Sequence, residues 1–158
     1  MIIYADRFRL RPFKESDTNA FFKIAHEELV KKYVPYAYPE TLDDAKNLVE
    51  CYSKGDLKND FYLLIKKGEV PFGAIIAIRT YPLTLDVSTI VLDGYRGKGI
   101  MTTAMNGFID WIKKNTNYRN MVMIINKENV ASRRMAEKIG AVLAAEGETD
   151  NAYEVVLR

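Results

Sequence analysis

The stretch "DGYRGKGIMTTAM", residues 93–105, places Gly97 and Gly99 either side of Lys98 and runs directly into a helical pattern. A strand ending near Asp93, a glycine turn and an immediate helix start would aim several unpaired backbone N–H groups at one point, where the helix dipole also favours negative charge. Glycine removes the Cβ atoms that would keep a phosphate oxygen away from those amides, and Arg96 and Lys98 add donors from the rim. The chemistry is anion binding, although a tight strand-to-helix turn with two solvated basic side chains explains the same letters. Two nucleotide loops do not fit. Gly94 and Gly99 have P-loop spacing, but Ile100 and Met101 stand where a lysine and a hydroxyl are needed, and Thr102 occupies the place of the third glycine of a dinucleotide fingerprint.

The elements that must position this loop can be read from periodicity. "IIYADRFRLRPF" alternates as one strand and stops at Pro12. "SDTNAFFKIAHEEL" reads as a helix capped by Ser16 or Asp17, and Thr41 with Asp44 resembles a capping box opening a second helix. "DFYLLIKKG", "PFGAIIAIRTY" and "LDVSTIVLD" are three strand-length apolar runs broken by turn residues, an antiparallel meander. Met101, Ala104, Met105, Phe108 and Ile112 form one apolar helical stripe, which is core. "NMVMIIN" is a strand, and "NVASRRMAEKIG" is a helix with Asn129 to cap it and Gly140 to end it. Two closing strands complete an α/β (α+β) fold: a single mixed, mostly antiparallel twisted sheet of about seven strands with about four helices.

The 158 residues are 48% hydrophobic and 28% charged, the size of a single domain over 1–158 with one core. A net charge of +2 gives no general case for nucleic acid, and Arg133, Arg134 and Lys138 on one helix are the only basic cluster of note. There is no run of eighteen apolar residues and no basic-then-apolar leader, so membrane spanning and export are not expected and a cytoplasmic location is. Cys51 has no second cysteine to pair with and reads as a packed thiol, and His26 reads as structural. No metal-ligand clustering is present, so no metal is expected.

"YRGKGIM" is similar to the pyrophosphate-binding signature of the GNAT N-acetyltransferases, Gln/Arg, two residues, Gly, one residue, Gly/Ala, and "NVASRRMAEKIGA" resembles their second conserved segment. Order, separation and element sequence all match, so the resemblance spans essentially the whole chain. "RLRPFKESD" and "YVPYAYPETLDDAKNLVE" resemble the group that includes the ribosomal-protein N-terminal acetyltransferases. The resemblance implies a GNAT-like acetyl-CoA-binding fold in which the amides of Arg96, Gly97, Lys98, Gly99, Ile100 and Met101 hold the cosubstrate's pyrophosphate. Ile90, Val91 and Leu92 would splay from the neighbouring strand and bond the pantetheine arm, and Asn129 would reach the same arm. Met101 departs from the pattern: on the apolar stripe it is tolerated if it points inward, and it lowers affinity if it crowds the cradle.

The implied reaction moves an acetyl group to a primary amine, a protein N-terminus or a small amine, by direct attack in a ternary complex. An α-amine with pKa near 8 is about one-tenth neutral at pH 7, against about one in 2,500 for a lysine, so a weak base suffices for the former. Asp86 is the candidate base, since relatives carry an acid on this strand and alternation puts Asp86, Ser88, Ile90 and Leu92 on one face; a solvated strand-start aspartate is the plain alternative. The family's tyrosine acid is absent, with Ala136 in its place, and Ser132 matches the position of thiol protonation in the N-terminal acetyltransferases. Tyr95 and Tyr118 fit ordinary packing. Tyr33, Tyr36 and Tyr38, interleaved with Pro35 and Pro39, form an aromatic loop suited to an acceptor or to packing between helices. Glu27 and Glu28 could hold a cationic substrate or form a surface pair. A non-catalytic acyl-CoA-binding or regulatory module is the alternative on the same fold. Pairing of two copies through terminal strands or helices is compatible with both.

Overall fold

The computed structural model describes residues 1–158. One twisted sheet runs in the order β1-β2-β3-β4-β5-β6-β8-β7, antiparallel throughout except between β5 and β6. Its eight strands and five α-helices exceed the about seven and about four expected, and both differences arise in the first forty residues. The opening alternation is a hairpin of β1 (Ile3–Ala5) and β2 (Phe8–Pro12), because Asp6 at φ 56 supplies the left-handed residue that a tight turn needs. The first helical stretch is two helices, α1 (Thr18–Ala25) and α2 (Glu28–Tyr33), parted where Glu27 becomes extended.

Neither Ser16 nor Asp17 caps α1 with its side chain. The Asp17 carboxylate instead takes both guanidinium nitrogens of Arg11, at 2.8 and 2.9 Å, and the Lys14 N–H at 2.7 Å. Thr41 and Asp44 do form the expected capping box of α3 (Leu42–Ser53). That helix buries Ala45, Val49 and Tyr52, a stripe that leaves Cys51 exposed rather than packed.

The meander is β3 (Asp60–Lys67), β4 (Val70–Tyr81) and β5 (Thr84–Val91). Alternate residues serve opposite cores, Leu63, Ile65 and Ile75 on one face and Leu64, Ala74 and Ile76 on the other. The first face is covered by α4 (Ile100–Asn115) and α5 (Val130–Lys138), and the second by α1 and α3. Ala104, Met105, Phe108 and Ile112 are buried, as the apolar stripe required. The C-terminal strands β6 (Asn120–Asn126), β7 (Val142–Glu146) and β8 (Asp150–Val156) complete the sheet. β5 and β6 pair only over Thr84↔Asn120, Leu85↔Met121 and Asp86↔Val122. Beyond Asp86 the two strands part, and the outer edge of β5 faces no strand.

Candidate active site

The segment after β5 is bent by three glycines with positive φ, Gly94 (91°), Gly97 (74°) and Gly99 (72°), the last being the residue that opens α4. Its start is pinned: the Leu92 N–H donates to Phe72 O at 2.7 Å, and the Tyr95 ring stacks on Phe72 at 4.8 Å. From Arg96 to Thr102 no backbone N–H meets a protein acceptor. Such a row of donors at a helix start is what an oligophosphate demands, and no Cβ at Gly97 or Gly99 would meet protein, so their value is conformational. The guanidinium of Arg96 is not a free rim donor as expected. It pairs with the Glu27 carboxylate and lies 3.5 Å from Asp93 Oδ1. Lys98 is exposed and makes no ion pair.

A cavity of about 270 Å³ leads from this loop, walled by Val30 and Tyr33 of α2, Thr89 to Val91 of β5, and Ser132 of α5. Met101 borders it and packs against the core, its Cε 3.6 Å from where a Cβ on Gly73 would sit, so the side chain turns inward and leaves its amide free. Ile90 is buried, while Leu92 packs against both cores and lies outside the cavity. Arg134 and Lys138, which composition suggested only as part of a basic cluster, border this cavity from α5. Their spacing of four, which places them on one helix face, is the signal that could have identified them. Arg133 is turned elsewhere, to Tyr153 Oη at 3.2 Å and Lys127 O at 2.9 Å.

On the other side of the parted strands lies a wider cavity of about 620 Å³, bordered by Tyr33, Tyr36, Asp86, Ser88, Asn126 and Asp150. A narrow space of about 30 Å³, touched by Tyr33, Ser88, Thr89, Asn129 and Ser132, lies between the two and shares lining residues with each. Asp86 is half-buried with no hydrogen-bonding or ionic partner in the protein, and burial raises its pKa. The Tyr36 hydroxyl is hydrogen-bonded to Ser88 Oγ; the ring is exposed, but its hydroxyl end is shielded, which raises the phenol pKa. Asn129 caps α5 by accepting the Ser132 N–H at 3.4 Å, and the Ser132 hydroxyl itself has no protein partner.

Not every expected residue is brought here. Tyr38 borders neither cavity; it stacks on His26, whose Nδ1 donates to Pro39 O at 2.9 Å. Tyr118 is buried elsewhere with its hydroxyl on Lys58 O, whereas Tyr95, whose ring stacks on Phe72, does border the first cavity. Glu27 is engaged with the loop rather than open to a cationic substrate. No group of three His, Cys, Asp or Glu side chains is placed to hold a metal ion, and no helix is long and apolar enough to cross a membrane.

Residues 7–142 match the family model described as the acetyltransferase (GNAT) domain. The chain is 26% identical over 141 residues to the N-acetyltransferase YnaD of Bacillus subtilis (strain 168), covering 89% of this chain and 82% of that protein. Its fold is similar to that of RimL, a ribosomal L7/L12 alpha-N-protein acetyltransferase solved with coenzyme A, at 16% identity and TM-score 0.85 over 99% of this chain and 98% of that one. It is also similar in fold to spermidine N-acetyltransferase from Vibrio cholerae, solved with CoA and spermine, at 14% identity and TM-score 0.79 over 96% of each chain. With the family model covering most of its length, the chain belongs to the GNAT acetyltransferase family and is an acyltransferase.

Proposed function

We propose that residues 1–158 act as one domain that transfers an acetyl group from acetyl-CoA to a primary amine, a protein N-terminus or a small amine, by direct attack in a ternary complex. The observation that carries this reading is the meeting of two cavities where β5 and β6 part, one led by a row of unpaired amides and the other bordered by an unpaired carboxylate. Proteins of this fold that are named as ribosomal-protein and spermidine acetyltransferases support both kinds of acceptor.

Arg96 to Met101 offer their amides to the pyrophosphate, with Arg134 and Lys138 as the nearby cations. The free edge of β5 at Ile90 and Val91, together with Asn129, serves the pantetheine arm, whereas Leu92 is taken up by its bond to Phe72. When bound, acetyl-CoA supplies an activated thioester carbonyl. Asp86 takes the proton of the incoming ammonium, directly or through Ser88, so that a neutral nitrogen can form the new C–N bond. A β5 backbone N–H stabilises the oxyanion. As the C–S bond breaks, Ser132 gives its hydroxyl proton to the sulfur and takes up the second proton that the nitrogen loses as the amide forms, so the serine ends neutral, in the role left empty by the absent tyrosine at Ala136. Tyr33 and Tyr36 wall the acceptor side.

The test is amine-dependent release of free CoA thiol from acetyl-CoA, using peptide N-termini, polyamines and small monoamines. Release with at least one class, abolished in Asp86→Asn, supports the reading. Tight acetyl-CoA binding with no release across the whole panel overturns it.

A further inference from the structure

The anion loop is held by a residue 66 and 69 positions away in sequence. Glu27 is the extended link between α1 and α2, at φ −143 and ψ 150. Its Oε1 accepts the Asp93 N–H at 3.1 Å, and its Oε2 pairs with Arg96 Nη2. The two side chains are only 19% and 25% exposed, so this is no solvated surface pair. Glu27 borders neither cavity, so it contacts no reacting group.

Resting on the reading of acetyl-CoA as cosubstrate, we infer that Glu27 is a positioning residue: it fixes the direction of the Arg96 to Thr102 amides and so sets affinity for the diphosphate part of the ligand. A segment with three positive-φ glycines is intrinsically permissive and loses much backbone entropy when ordered. Fixing its start before the ligand arrives lowers that cost at binding. The same carboxylate stands at the start of α2, whose Leu29, Val30 and Tyr33 wall the cofactor cavity, but its own contacts are with the loop alone.

The sign of the effect separates positioning from charge. A carboxylate beside an oligophosphate site is repulsive, so Coulomb interaction alone predicts that its removal tightens CoA binding. Positioning predicts the opposite. Dissociation constants of CoA and of pantetheine, which lacks the diphosphate, are to be measured by calorimetry for the wild type, Glu27→Ala and Glu27→Gln. We expect Glu27→Ala to weaken CoA by about tenfold or more while pantetheine stays within about twofold of wild type. Glu27→Gln keeps an oxygen for the Asp93 N–H and should lose no more than about threefold. Unchanged or tighter CoA binding by Glu27→Ala overturns the inference. So does an equal loss for both ligands, which marks a merely structural residue. A wild type that binds no CoA overturns the acetyl-CoA reading itself and this inference with it, an outcome distinct from failure at Glu27 alone.

Discussion

Asp86 combines partial burial with the absence of any protein partner, and two opposite consequences follow from that pairing. As a base it must be ionised, so kcat/KM should fall on an acid limb whose pKa lies above the ordinary carboxylate value near 4. Asp86→Asn should remove that limb and lower kcat by about 10² to 10⁴. As a buried group its charged form is disfavoured in the folded state, so its folded pKa exceeds the unfolded one. The destabilisation it causes is absent below the unfolded pKa and complete once pH has risen through the folded pKa. Asp86→Asn should therefore raise the melting temperature at pH 7, and the gain should vanish toward pH 3; a variant less stable at neutral pH would contradict this. Ser132→Ala should lower kcat by about 10²-fold while leaving the KM for acetyl-CoA nearly unchanged, because its hydroxyl is free and only its backbone N–H serves the cap.

Helix α4 must satisfy two different demands on glycine. At its start Gly99 has open space around a notional Cβ but a φ of 72°, so Gly99→Ala brings left-handed strain of about 1–2 kcal/mol and should weaken CoA by misdirecting the amides. In its middle Gly107 has no such φ. A Cβ there would lie 2.6 Å from Ala5 Cβ and 3.3 Å from Ala5 Cα, because α4 rests directly on β1. Gly107→Ala should cost about 1–3 kcal/mol through overpacking, offset in part by better helix propensity, and urea unfolding measures it. Equal stability of the two variants with equal CoA affinity would refute both assignments.

Across the whole molecule, the two halves of the sheet are joined strand to strand only at Thr84–Asp86, and the proposed ligand lies in the opening beyond. A ligand touching α2, β5, α4 and α5 ties these halves together. At a hundred times its dissociation constant acetyl-CoA should add about 2.7 kcal/mol, roughly 5–10 °C in melting temperature for a chain of this size. Hydrogen exchange should slow at the loop and in α2 and α5. A second global feature is the Arg11–Asp17 pair, which ties β2 to the entrance of α1 with side chains 18% and 8% exposed. Burial raises the Asp17 pKa, but the bonds from Arg11 and the Lys14 N–H outweigh it and hold the carboxyl below its usual value. Its stabilisation is present above the unfolded pKa and lost as pH falls through the folded one. Asp17→Ala, which leaves Arg11 unpaired, should cost about 3–5 kcal/mol at neutral pH.

What the sequence determined by itself is what near neighbours decide. The glycine turn into α4, the capping box of α3, the apolar stripe of α4 and the Asn129 cap all depend on residues within a few positions, and each stands where periodicity and spacing put it. Even local features failed where a single residue had two conformations open to it, as at Asp6, whose left-handed turn split one expected strand in two. Tertiary structure alone decided where side chains point. Tyr36 and Tyr38 share one short loop, yet one hydroxyl reaches Ser88 across 52 residues while the other ring stacks on His26. Arg96 lies inside the recognised motif, but its guanidinium belongs to Glu27. A side chain's direction is set by whichever distant surface packs against it and by which partner satisfies its charge, and neither is encoded in the spacing of its neighbours.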